Sequence, residues 1–168
     1  MPTVDENFVK RIQPHSEEAE RSVLGSMLMD RDAIVEAEDI LTKEDIYQRQ
    51  YGIVFEAMVE LYREGKAVDL ITLQNKLKEK EVPEERMSLD FFRDLVEVVP
   101  TAANIGQYSK IVHDKATLRA LIKVTENIGN ECYLGKEDTE TILEKTEKDI
   151  FGLLQNRNRM SDFVPIQQ

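Results

Sequence analysis

From Asn104 to Leu134 apolar residues return every three or four positions with no proline among them: Ile105, Tyr108, Ile111 and Val112, then Leu118, Leu121, Ile122 and Ile128, with Thr125 and Cys132 in step. That spacing is the repeat of a helix face, and it predicts one long helical element. Asn104 and Gln107 have the spacing of a capping box at its start, a bend near Asp114 is compatible with the pattern, and Gly135 supplies its end. A second run opens near Asp138 and Thr139 and carries Ile142, Leu143, Thr146, Ile150, Leu153 and Leu154 before fading into QNRNRMSD. Two long helices separated by so few residues fold back on each other as an antiparallel hairpin. Each helix of a hairpin buries only one stripe, so apolar residues beyond that stripe need cover from elsewhere. Self-association is the expectation.

Upstream the texture is shorter. Ser16 precedes Glu17 and Glu18, a helix start with acidic residues in the first turn, followed by Ala19, Val23, Leu24, Met27 and Leu28 on one face. A short helix through Ile34, Val35, Ala37 and Ile40 comes next, and Thr42 with Glu44 and Asp45 signals another start. A further helix runs to about Glu64 and closes at Gly65. Asp69 caps a helix with Leu70, Leu73 and Leu77, and Ser88 caps one with Leu89, Phe92, Leu95 and Val96 that Pro100 ends. The fold class is therefore all-α: a compact head of about five short helices over residues 16–103, then the long antiparallel hairpin over 104–155. Residues 1–15 read as a flexible arm whose last part packs down, and 156–168 as the start of a linker.

Composition agrees, with 41% hydrophobic and 33% charged residues and only 7 glycines and 5 prolines. The net charge of -11, from 33 acidic and 22 basic residues, repels phosphate and argues against direct nucleic-acid binding. Arg157 and Arg159 are a local exception that would neutralise at most about two phosphates. A single cysteine forms no internal disulfide. The start, MPTVDENFVKRIQPH, has neither a signal-peptide core nor a membrane span, so a cytoplasmic protein is expected.

Catalytic chemistry is missing. Gly65-Lys66 is followed by Ala67 and Gly135-Lys136 by Glu137, so neither is a phosphate-binding loop, which needs a Ser or Thr after the lysine to hold the metal. His15 and His113 stand alone, without metal-ligand spacing. Glu17, Glu18, Glu20 and the acidic residues of the run 79–81 read as solvated helix faces rather than an acid-base pair. Cys132 lies on the apolar stripe and reads as a buried, inert thiol. Met27, Met58 and Met87 read as core filler. Phe91 and Phe92 point about 100° apart on a helix, so one enters the core while the other is a candidate contact residue. An enzyme of another kind would need buried carboxylates or a histidine-centred cluster that the spacing does not reveal.

Four segments in order, PHSEEAERSVLGSML (14–28), IVFEAMVELYREGKAVDLITLQNKL (53–77), VPTAANIGQYSKIV (99–112) and KATLRALI (115–122), resemble the N-terminal domain of the DnaB-type replicative DNA helicase. The resemblance covers about residues 12–155. Where the family often has a histidine and a basic residue before the Ile-Phe-Glu-Ala stretch, this chain has Gln50 and Tyr51. In that family the domain forms the collar of a hexameric ring, built as a trimer of dimers paired through the hairpins, and it docks primase and helicase loader or initiator proteins. The resemblance implies no cofactor in this part of the protein, with ATP and Mg belonging to a separate RecA-like motor domain reached through the linker. Carried onto this chain, Leu118, Leu121, Ile122, Thr125 and Ile128, with Ile142, Leu143, Ile150 and Leu154, are the candidate subunit or primase contacts, beside Phe91 and Phe92. The helicase-interacting region of a primase, with a related head and hairpin, is the alternative reading. The PTAAN run and the PHSEEAERSVLGSML start favour the helicase.

Overall fold

The structure is a computed structural model that describes residues 11–161, with side chains to residue 156. All regular elements among the described residues are helical: α1 (Glu17–Met29), α2 (Arg31–Ile40), α3 (Arg49–Arg63), α4 (Leu70–Glu79), α5 (Leu89–Glu97), α6 (Ile105–Leu134) and α7 (Thr139–Ser161), with short 3-10 turns at Lys43–Asp45, Glu84–Arg86 and Ala102–Asn104. Of these residues, 16–116 form one compact unit, and 11–15 with 117–161 form another.

The helix starts of the first unit follow from local chemistry. The Ser16 hydroxyl accepts the Ala19 amide at 3.2 Å, and Asp30 accepts the Asp32 amide at 2.9 Å. Asp69 accepts the amides of Ile71 and Thr72, both at 2.9 Å, while the Thr72 hydroxyl accepts the Asp69 amide at 3.0 Å. Such reciprocal bonds satisfy amides that have no partner inside the helix. Gly65 ends α3 with φ +70, a conformation that costs a residue with a side chain but not glycine. The expected capping box at Asn104 does not form. Thr101 accepts the Ala103 amide at 3.2 Å, and Asn104 lies inside the 3-10 turn that feeds into α6. α6 then runs as one α-helix through Asp114.

The core of this unit joins Val23, Leu24 and Met27 of α1, Ile34 of α2, Val54 and Met58 of α3, Leu73 and Leu77 of α4, and Phe92 and Leu95 of α5. Ile105 and Val112 from the first turns of α6 belong to the same core. Burying a large apolar side chain contributes roughly 1.5–3 kcal/mol, so this cluster is the main source of the unit's stability. Met27, Met58 and Met87 are all buried.

Glu20 departs from expectation, and the alternatives for Phe91 and Phe92 are separated. Glu20 is not on a solvated face: it is 1% exposed, and its Oε1 accepts the backbone amide of Gln48 at 3.0 Å just ahead of α3. Phe92 is fully buried, whereas Phe91 is half-buried, stacked on Tyr51 with ring centres 5.9 Å apart and edge-on to Phe92 at 5.2 Å. Adjacent helical positions cannot both face inward, and the core claims Phe92.

Candidate interaction surface

The hairpin unit is held together at its turn. Gly135, with φ +61, releases the chain from α6. Asp138 caps α7 by accepting the Thr141 amide at 2.8 Å, and the Thr141 hydrogen bonds hold its carboxyl below the ordinary aspartate range. Lys145 on α7 reaches back to Glu137 at 2.7 Å and to Glu131 on α6 at 3.8 Å, which fixes the reversal of direction.

Exposure sorts the predicted stripe into two rows. On α6 the half-buried residues Thr117, Ala120, Val124, Ile128 and Glu131 recur at threes and fours, and Glu131 is the residue that meets Lys145, so this row faces α7. Ile142, Thr146, Ile150 and Leu153 form the matching half-buried row of α7. The second row stays open: Leu118 is 45% exposed, Leu121 39%, Leu143 62% and Leu154 47%, with Thr125 also exposed. At about 100° per residue, Leu118, Leu121 and Thr125 lie within an arc of about 60°, so they make one surface rather than scattered points. The Thr125 hydroxyl donates to the carbonyls of Leu121 and Ile122 at 3.0 and 2.9 Å, so it asks for no external polar partner. Ile122 is half-buried at the margin of the open row.

The expectation that Cys132 is a buried thiol fails, since it is exposed. It falls on the same arc as Leu118 and Thr125, and that arc turns away from α7. Reasoning from sequence also missed Phe151, 59% exposed, and the pair Tyr133 and Leu134, 93% and 65% exposed, beside the turn. Phe151 stands eight residues after Leu143 and three before Leu154, a spacing that places all three on one side of α7. That signal was available in the sequence. Arg157 and Arg159 lie beyond the described side chains.

Among the described residues, no group of three or more His, Cys, Asp or Glu side chains is placed to hold a metal ion, and no helix is long and apolar enough to cross a membrane. The glycine-lysine pairs are helix ends: Lys66 pairs with Glu64 at 2.8 Å, and Lys136 is exposed.

Comparison with known proteins identifies the family of the chain. Residues 12–114 match the family described as DnaB-like helicase N terminal domain. The chain belongs to that family. The replicative DNA helicase DnaB of Geobacillus stearothermophilus is 34% identical over 155 residues, covering 92% of this chain and 34% of that protein. Its counterpart in Pasteurella multocida is 34% identical over 152 residues, covering 90% of this chain and 32% of that one. The chain thus spans about a third of the length of the curated relatives it matches. The crystal structure of the N-terminal domain of DnaB helicase from Mycobacterium tuberculosis superposes with a TM-score of 0.77 at 32% identity, covering 83% of this chain and 99% of that domain. Among the described residues the all-helical architecture is that of the DnaB N-terminal domain.

Proposed function

We propose that this DnaB-like domain is a non-catalytic assembly and docking module of a cytoplasmic replicative helicase. Its hairpin pairs copies of the chain into dimers, three dimers close a hexameric collar, and the collar receives primase and a loader or initiator protein. ATP and Mg are used by a motor domain outside these residues, and the collar itself makes no direct contact with DNA. One observation carries the reading: the row of exposed apolar side chains on α6 and α7, which stays open among the described residues. Monomeric proteins rarely leave such rows in contact with water, and each leucine withdrawn from it contributes on the order of 1–2 kcal/mol.

Light scattering across concentration, alone and with the C-terminal domain of the cognate primase, tests the proposal. A concentration-dependent rise in mass, or a complex with primase, is the expected result. A strict monomer at high concentration that ignores primase overturns it. Leu121→Asp, placed in the open row, should lower the mass while leaving the helical circular dichroism intact. Leu121 is a cleaner probe than Ile128, which lies in the row against α7.

A further inference from the structure

We propose that residues Arg11–His15 form a strap latched to the hairpin unit by Arg119, and that Ile12 on this strap is a contact for a second copy of the chain. The inference rests on the reading of the hairpin as a self-association surface and extends that surface beyond the two helices.

The latch includes a long-range bond. The half-buried guanidinium of Arg119 donates from Nη1 to the carbonyl of Pro14 at 2.8 Å, across 105 positions of sequence. A charged donor makes a stronger bond to a carbonyl than a neutral one. Proline suits the position, because its ring restricts its own φ and keeps the preceding residue extended. The His15 ring reaches back from Nδ1 to the Gln13 carbonyl at 2.7 Å, which tightens the segment further. In consequence the strap groups with the hairpin rather than with α1, which follows it directly in the chain.

Position on α6 says which side of the hairpin the strap borders. Arg119 lies about 100° round the helix from Leu118, while Val124 and Ile128, facing α7, lie about 80–120° round the other way. The open row of Leu118, Leu121 and Thr125 therefore runs between α7 on one side and the Arg119 side on the other. Ile12, 69% exposed in an otherwise polar segment and two residues from the latched carbonyl, adds an apolar group on that second border.

Charge points to a second copy as the occupant. Between 117 and 125 the only charged residues are Arg119 and Lys123, and the strap adds Arg11. Between 126 and 149 the acids Glu126, Glu131, Glu137, Asp138, Glu140, Glu144, Glu147 and Asp149 outnumber Lys136, Lys145 and Lys148. The strap end is basic and the turn end acidic, so each copy carries the complement that the strap end of another needs.

The test compares Ile12→Asp, Arg119→Ala and Leu121→Asp with the parent chain by sedimentation equilibrium, with hydrogen exchange of the Ile12, Gln13 and His15 amides as a second readout. Ile12 is exposed, so its replacement leaves folding untouched, and circular dichroism checks the other two. The expected result is that Ile12→Asp and Arg119→Ala each raise the dissociation constant about fivefold or more, and that Arg119→Ala speeds exchange in the strap. If Leu121→Asp weakens association while Ile12→Asp leaves it within about twofold, the strap is no contact and only the hairpin reading survives. Unchanged exchange in Arg119→Ala removes the latch. If the parent chain does not self-associate at all, the hairpin reading falls and takes this proposal with it.

Discussion

The carbonyl of Leu95 in α5 lies against Gly25 in α1 so closely that a Cβ on Gly25 would sit 2.1 Å from the oxygen. No side chain fits there, because the obstacle is backbone rather than the end of a flexible group. Gly25→Ala must push α5 away from α1 and open the core around Leu24, Phe92 and Leu95. A loss of about 2–4 kcal/mol is expected in urea unfolding, within the range for overpacking and forced backbone shifts. Gly106→Ala is the control: its Cβ would meet only the Glu36 carboxylate at 3.7 Å. There the change should be neutral or stabilising by up to about 1 kcal/mol, since alanine loses less backbone freedom on folding than glycine does.

Glu20 joins α1 to the chain entering α3. With the carboxylate 1% exposed and bonded to the Gln48 amide at 3.0 Å, its removal strands a polar group and leaves space in the core. Glu20→Ala is predicted to cost about 2–4 kcal/mol. Glu20→Gln, which keeps a carbonyl oxygen to accept that amide, should cost less than Glu20→Ala. Equal losses in thermal unfolding would show that the bond to Gln48 is unimportant.

Glu56 and Glu60 of α3 and Glu64 at its C-terminal cap stand one turn apart and meet Lys76 of α4 and Lys80 at that helix's C-terminal cap: Glu64 to Lys76 at 2.6 Å, Glu60 to Lys80 at 2.7 Å and Glu56 to Lys80 at 3.4 Å. Lys43 adds a contact to Glu56 at 3.1 Å and Lys66 one to Glu64 at 2.8 Å. The hydrogen bonds from Lys66 and then Lys76 lower the Glu64 pKa from 4.5 to about 2. A carboxylate lowered in the folded state stabilises fully above its unfolded pKa and loses that contribution as pH falls through the folded value. The contribution of Glu64 is therefore complete above about pH 4.5 and fades toward about pH 2. Glu64→Gln should be less stable than the parent at pH 6 and indistinguishable from it near the bottom of that window, and added salt should narrow the difference at pH 6. A difference that persists unchanged at both ends would place its cause outside this ladder.

The elements that could be read from sequence are those whose signals are local. Ser16, Asp69, Ser88 and Asp138 each bond an amide two or three residues ahead, so the cap and its target share one short stretch of chain. The start expected at Asn104 fails because Thr101 caps a 3-10 turn that takes in Asn104 and feeds into α6. The burial of Glu20 was out of reach, because its partner Gln48 comes from a different element. On the hairpin the apolar positions were legible, but a spacing of threes and fours does not separate the row facing α7 from the open one. The ion pair from Lys145 to Glu131 marks the row that faces α7, and Cys132 and Leu118 lie outside it.

Gly129 and Gly152 lie inside α6 and α7, and a Cβ on either would meet nothing within 4 Å. Alanine at each position should stabilise the isolated chain by roughly 0.5–1 kcal/mol, since glycine in a helix interior loses more backbone freedom on folding than alanine does. Thermal unfolding of a dilute sample is the measurement, and a loss at either position would mean that its side is closely packed after all.

Cys132 reports directly on whether the open row is covered. Its thiol is exposed on the same side of α6 as Leu118 and Thr125, so a thiol-specific reagent should modify it fully without denaturant. If copies pair through this row, the rate constant for modification should fall as protein concentration rises through the association range. Leu121→Asp should then restore the dilute rate at high concentration, because it keeps the thiol in place while removing the pairing. A rate independent of concentration in a sample that scattering shows to be oligomeric would place the contact between copies on another face of the protein.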